Sequence, residues 1–286
     1  MDAAETLALA VAQVQVVGDL PTPDVLRAAG ERVRSAIVAA ADRGARIVQF
    51  PEGMLTNPAK RLISGSSPHL GDADWTRADW RALREELERI ADACRARSIC
   101  AVVGAPHQLS DGHRPHNSLY VFSSDGELVT RYDKRRLSTN ETSYLYTPGT
   151  DAVVFEVDGF RFGMVICLET LFPELFIDYA AMDVDCVLIS SAADPNFGRL
   201  ASAHAVMNAI TVSVAFASGA PGDSHRSGIC TALGWIARCE NAGPGLAVGG
   251  VPKLPSEVSF HRRARNGLYD PWLAPKDPRS LDRRTL

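Results

Sequence analysis

The segment from Leu7 to Val16 is apolar at every position as far as Ala12, so both alternating faces of a strand built from it need cover. Its only polar interruptions are Gln13 and Gln15. A strand buried on both sides is a central strand, with other layers of structure packed above and below its sheet. A Gly/Pro turn then leads to Asp24, which the pattern sets as the cap of a helix running to about Arg43. Val33, Ile37 and Ala41 share one face of that helix, and Gly44 stands just past its end. A second strand is expected over Arg46 to Phe50.

Between Arg77 and Arg97, the residues Trp80, Leu83, Leu87, Ile90, Ala91 and Cys94 recur at helical spacing, with Glu85 and Arg89 expected to pair on the outer side. A third strand follows over Ile99 to Val103. The period then changes. Asn117 to Phe122 and Leu128 to Tyr132 flank the turn Ser123-Ser124-Asp125-Gly126, and a second hairpin turns at Asp158-Gly159 into Phe160 to Ile166. Cys186 to Ser190 and Thr211 to Ala217 have the pattern of buried strands, separated by a helix from about Arg199 to Ala209. Strand–helix alternation at both ends with hairpins between predicts an α/β chain with a mixed sheet or two stacked sheets and helices outside. Residues 1–255 read as one domain. Residues 256–286, rich in Pro, Arg and Asp, read as an extended arm docked on a partner subunit.

Composition excludes several function classes. With 46% hydrophobic and 22% charged residues the chain can bury a core, and a net charge of -4 gives no pull toward nucleic acid or anionic lipid. The acidic opening Met1-Asp2-Ala3-Ala4-Glu5 predicts no export signal, and no apolar run approaches the roughly 20 residues of a membrane span. A cytoplasmic location is therefore expected. Six cysteines, with no C-x-x-C pair and no His at ligand spacing, argue for free thiols rather than a metal site or a disulfide framework. The stretch Gly243 to Gly250 hints at a phosphate loop, but Pro244 and the spacing favour a hairpin turn.

Three motifs carry chemistry. Phe50-Pro51-Glu52-Gly53 ends a strand with an acid, Tyr132-Asp133-Lys134-Arg135-Arg136-Leu137 puts a cation after a hairpin strand, and Gly163 to Glu169 sets Cys167 at the end of an apolar strand. Each has a bland reading: a solvated acid, a basic edge that discourages strand pairing, a core thiol. Together, in the order Glu, Lys, Cys, they resemble the nitrilase, or carbon-nitrogen hydrolase, superfamily across nearly the whole chain. Pro51-Glu52, Tyr132-x-Lys134 and Cys167-Leu168-Glu169 with Pro173-Glu174 match its motifs. Glu141, ahead of Tyr144, Tyr146 and Pro148-Gly149, stands where the family has a second acid, and Asn117-Ser118 resembles its entry to the following strand.

The resemblance implies a four-layer α-β-β-α sandwich with two mixed sheets, no cofactor and no metal. It implies a small-molecule amide or carbamoyl substrate, and a homodimer or higher homo-oligomer formed around Pro173 to Met182. It also implies roles. Cys167 would be the nucleophile, Glu52 the proton shuttle and Lys134 the stabiliser of the oxyanion together with the Leu168 N–H, while Glu141 would hold Lys134 in place. A thiol with a pKa near 8.5 is mostly protonated at neutral pH, so such a nucleophile needs a base for its proton and a cation for its charge. Ala192 and Asn196, with Met54 and Asn57, are candidates for the substrate pocket. Leu168 stands where nitrile-attacking members carry Trp, which favours amides, and Arg136 replaces the family's usual His. Nitrile hydrolysis, acyl transfer to an amine, a Cys–His dyad using one of the seven histidines, and a non-catalytic scaffold remain alternatives.

Overall fold

A computed structural model describes residues 5–57, 60–64, 73–110, 113–192, 194, 196–219 and 225–253. Met1–Lys253 form one compact unit. The arm expected over 256–286 lies outside the described residues.

The first half contributes β1 (Thr6–Gln13), α1 (Pro23–Asp42), β2 (Ile47–Gln49), the short α2 (Lys60–Ser64), α3 (Trp80–Arg97), β3 (Cys100–His107), β4 (His116–Phe122) and β5 (Leu128–Asp133). The second contributes β6 (Val154–Val157), β7 (Phe160–Ile166), α4 (Pro173–Ala181), β8 (Cys186–Ser191), α5 (Phe197–Asn208), β9 (Thr211–Phe216), β10 (Gly228–Thr231), β11 (Gly234–Arg238) and β12 (Gly245–Pro252). They form two six-stranded sheets, ordered β12-β1-β2-β3-β4-β5 and β11-β10-β9-β8-β7-β6. Each sheet has three adjacent parallel strands flanked by antiparallel ones.

Side-chain alternation turns these sheets into four layers. Ala10, Ala12, Val48, Ala101 and Val103 pack against Leu26, Val33 and Ile37 of α1 and Leu83, Leu87 and Ile90 of α3. Leu9, Val11, Ile47 and Val102, from the opposite face, meet Phe162, Met164 and Leu188 of the second sheet. Val165, Val187, Ile189 and Val212 then face Leu175, Phe176 and Tyr179 of α4 and Phe197, Ala201 and Ala205 of α5. This is the α-β-β-α sandwich, with two mixed sheets. Buried polar groups fix the contact between the sheets: Gln49 Nε2 donates to Ile189 O (2.7 Å), Ser213 Oγ to Gln49 Oε1 (2.5 Å) and Ser190 Oγ to Phe50 O (2.8 Å).

Four local expectations need correction. Helix α1 is capped at Thr22 rather than Asp24, because Pro23 at the first helical position fixes where the helix begins. Glu85 pairs with Arg81 (2.9 Å) rather than Arg89, which turns instead to buried Glu86; that carboxylate also accepts from Arg34 of α1 (2.5 Å). Residues 245–250 extend in β12 along β1 instead of turning. Met54 lies in the core beneath α1 and α3, not in a pocket wall. Among the described residues, no helix is long and apolar enough to cross a membrane.

Candidate active site

Three loops at strand ends converge. After β2, the chain turns through Pro51-Glu52-Gly53 against β3. Gly104 makes this possible, since a Cβ there would sit 2.6 Å from both Pro51 O and Gly53 N. The close approach buries Glu52. Beyond β5, Lys134 donates its backbone N–H to Asn117 O (2.8 Å) and accepts from Gly149 N (2.8 Å), which fixes its loop on both sides. Its ammonium is buried between Glu52 and the half-buried Glu141: Nζ lies 2.7 Å from Glu141 Oε1 and 3.1 Å from Glu52 Oε1. Glu141 opens a π-helical turn, Glu141–Leu145, and its Oε2 accepts from Ser138 N (2.8 Å).

Cys167 directly follows β7 with φ 52°, a left-handed conformation that costs a residue with a Cβ about 1–2 kcal/mol. The chain re-enters as a 3₁₀ turn over Cys167–Leu171, whose first amides have no acceptor within the turn. Glu169 fixes this geometry. Its buried carboxylate accepts from Ile166 N (2.7 Å) on one side, and on the other from Arg135 N (2.7 Å), Arg136 N (3.0 Å) and the Tyr132 hydroxyl (2.8 Å). The cysteine loop and the lysine loop thus hang on one carboxylate. Burial raises the pKa of Glu169, opposed by those donors.

The electrostatics follow from burial and three charges. Burial and Glu52 push the Cys167 thiol up to about 12, while Lys134 and the Ser191 hydroxyl pull the other way. Apart from that thiol, Ser191 Oγ has no hydrogen-bond partner among the described residues. Burial opposes the Lys134 ammonium, but Glu52, the sulfur and Glu141 outweigh it and hold its pKa above the ordinary lysine value. Glu141 is lowered, because Lys134 and Ser138 outweigh its burial. Tyr146, buried beside both carboxylates, is raised.

The structure therefore brings Glu52, Lys134, Glu141 and Cys167 together. Leu168 follows in the 3₁₀ turn, and Ala192 is adjacent, its N–H donating to Glu52 Oε2 (3.2 Å). Asn196 is exposed at the start of α5, its N–H on Asp194 Oδ1 (2.8 Å). His204 donates to Thr170 O (2.9 Å) and stacks on Phe176. Sequence reasoning assigned no role to Asn117, whose Nδ2 donates to Glu52 Oε1 (2.8 Å) and Glu141 Oε1 (3.3 Å), nor to Ser191. Asn117-Ser118 was legible as a motif, but its contact with Glu52 is not local. Among the described residues, no group of His, Cys, Asp and Glu is arranged to hold a metal ion.

Residues 9–232, well over half of the chain, match the carbon-nitrogen hydrolase family. The chain belongs to that family. A glutamine-dependent NAD(+) synthetase of Xylella fastidiosa is 31% identical over 212 residues, 71% of this chain and 35% of the relative. A mouse pantetheinase is 25% identical over 179 residues, 56% of this chain and 35% of its own length. The chain spans about a third of the length of such relatives. Among solved structures, a nitrilase-superfamily amidase from Nesterenkonia AN1 superposes with a TM-score of 0.75 at 21% identity, covering 94% of this chain and 98% of that one. That likeness shows the shared fold.

Proposed function

We propose that this carbon-nitrogen hydrolase cleaves a non-peptide C–N bond, in a linear amide or carbamoyl compound, through a thioester on Cys167. The observation that carries the reading is a single buried ammonium, Lys134, between two carboxylates and beside a partly accessible cysteine at a strained strand end. A thiol pushed up to about 12 is protonated at rest, so attack requires a base next to it. Glu52 takes the Sγ proton as sulfur bonds to the carbonyl carbon. Negative charge moves to the oxygen, where Lys134 Nζ and the Leu168 N–H receive it; one such donor contributes about 3 to 4 kcal/mol.

Collapse breaks the C–N bond, and Glu52 returns its proton to the departing nitrogen. Water then attacks the thioester, Glu52 accepts its proton, and that proton goes back to sulfur as the acid leaves. Glu141 holds the Lys134 ammonium throughout. Leu168 after the cysteine favours amides over nitriles. The Nesterenkonia amidase has been solved with butyramide, and with the acetamide moiety of fluoroacetamide on its active-site cysteine, which supports small amides as the substrate class.

The test is ammonia release from a panel of linear amides, carbamoyl amino acids and nitriles, with added amine in parallel reactions to divert any acyl transfer. Amides or carbamoyl compounds are expected to release ammonia with the wild type and not with Cys167→Ala. Equal release by both proteins rejects the reading.

A further inference from the structure

Two carboxylates on one ammonium leave the cluster with an excess negative charge, so donors other than Lys134 must hold the carboxylates together. The outer oxygens have separate backbone donors, Ala192 N–H for Glu52 Oε2 (3.2 Å) and Ser138 N–H for Glu141 Oε2 (2.8 Å). The inner oxygens share theirs. Glu52 Oε1 and Glu141 Oε1 both accept from Lys134 Nζ, and both accept from Asn117 Nδ2 at 2.8 Å and 3.3 Å. Asn117 is 5% exposed, near the start of β4, and its backbone carbonyl holds the Lys134 N–H. Only the NH2 end of its amide can face two carboxylate oxygens, since the carbonyl end would add a third acceptor with no hydrogen between them.

We propose that Asn117 is a positioning residue that selects which oxygen of Glu52 carries the proton. The inference rests on the hydrolysis read above. With Lys134 and Asn117 both donating to Oε1, the lone pairs of that atom are occupied. Oε2 accepts one longer bond and keeps a lone pair open. The thiol proton therefore passes from Sγ to Glu52 Oε2 as the S–C bond forms, and from Oε2 to nitrogen as the C–N bond breaks. Without Asn117, Oε1 becomes a competing proton site, the ionised form of Glu52 loses a donor, and the two carboxylates repel each other on a single ammonium.

Iodoacetamide tests this without knowledge of the natural substrate, since alkylation of Cys167 also requires its proton to leave as the S–C bond forms and iodide departs. The rate of Cys167 labelling is followed by peptide mass spectrometry against pH in the full chain, alongside thermal melting. Wild type is expected to show an acid limb set by its base, and Glu52→Gln to lose it. Asn117→Ala is expected to move that limb upward by about one pH unit and to slow labelling about tenfold on the plateau, the scale of a lost hydrogen bond to a charged group. A purely structural role would change the melting temperature and leave the limb in place. If Asn117→Ala does not fold, Asn117→Ser is read in the same way. A folded variant whose profile superimposes on wild type overturns the role of Asn117. A Glu52→Gln profile identical to wild type instead overturns the proton-shuttle reading beneath it.

Discussion

At the scale of single residues, the site is a balance between burial and charge around one sulfur. Lys134 is the cation that pulls the Cys167 thiol down against burial and Glu52. Replacing it by Ala should push the thiol higher still, and iodoacetamide labelling at about pH 9 should slow at least tenfold. An unchanged rate would remove Lys134 from the stabilisation of sulfur. Glu141 and Lys134 also make stability depend on pH. Glu141 is held below its unfolded value, so its contribution is present above that value, near 4.3, and is lost as pH falls through the lower folded value. Lys134 is held above its unfolded value, so its contribution is present below about 10.4 and lost as pH rises through the folded value. The stability gap between wild type and Glu141→Gln, measured by urea unfolding, should be constant from about pH 6 to about pH 9 and narrow below about pH 4.

At the scale of elements, loops rather than strands decide whether the groups meet. Glu169 ties the cysteine loop to the lysine loop through three backbone N–H groups and the Tyr132 hydroxyl. Glu169→Ala leaves these donors buried without acceptors, at about 1–3 kcal/mol each before relaxation. Urea unfolding should show a loss of about 3 kcal/mol or more, and a loss below about 1 kcal/mol would mean that the loops are held by other contacts. Elements set by local chemistry were legible in the sequence. The hairpin at Asp158-Gly159 has φ of 48° and 80° at its two turn residues, the conformation that such a dipeptide adopts readily. At the start of α1, Pro23 overrides the capping preference of Asp24. Strand β12 has no local signature, since its glycines resemble a turn and only pairing with β1, more than 200 residues away, makes it extended. The same distance rule governs the site. Glu52, Lys134, Glu141 and Cys167 were located by motifs, whereas the bond from Asn117 to Glu52 spans 65 positions and has no local signature.

At the scale of the whole molecule, the two sheets carry all three loops at strand ends. Gln49 is one polar link between them, beside Ser190, donating to Ile189 O of the second sheet and accepting from Ser213. Gln49→Leu keeps the volume but strands the Ser213 hydroxyl in the core; unfolding should cost about 1–3 kcal/mol less than in wild type. In the proposed reaction Cys167 carries the acyl group between loss of the amine and attack by water. Intact-protein mass spectrometry of samples quenched in acid during turnover of an amide identified by ammonia release tests it directly. A mass increase equal to the acyl group, mapped to the Cys167 peptide and absent from Cys167→Ala, is the predicted result. Ammonia release by Cys167→Ala at the wild-type rate, with no adduct on the Cys167 peptide of the wild type, would contradict it.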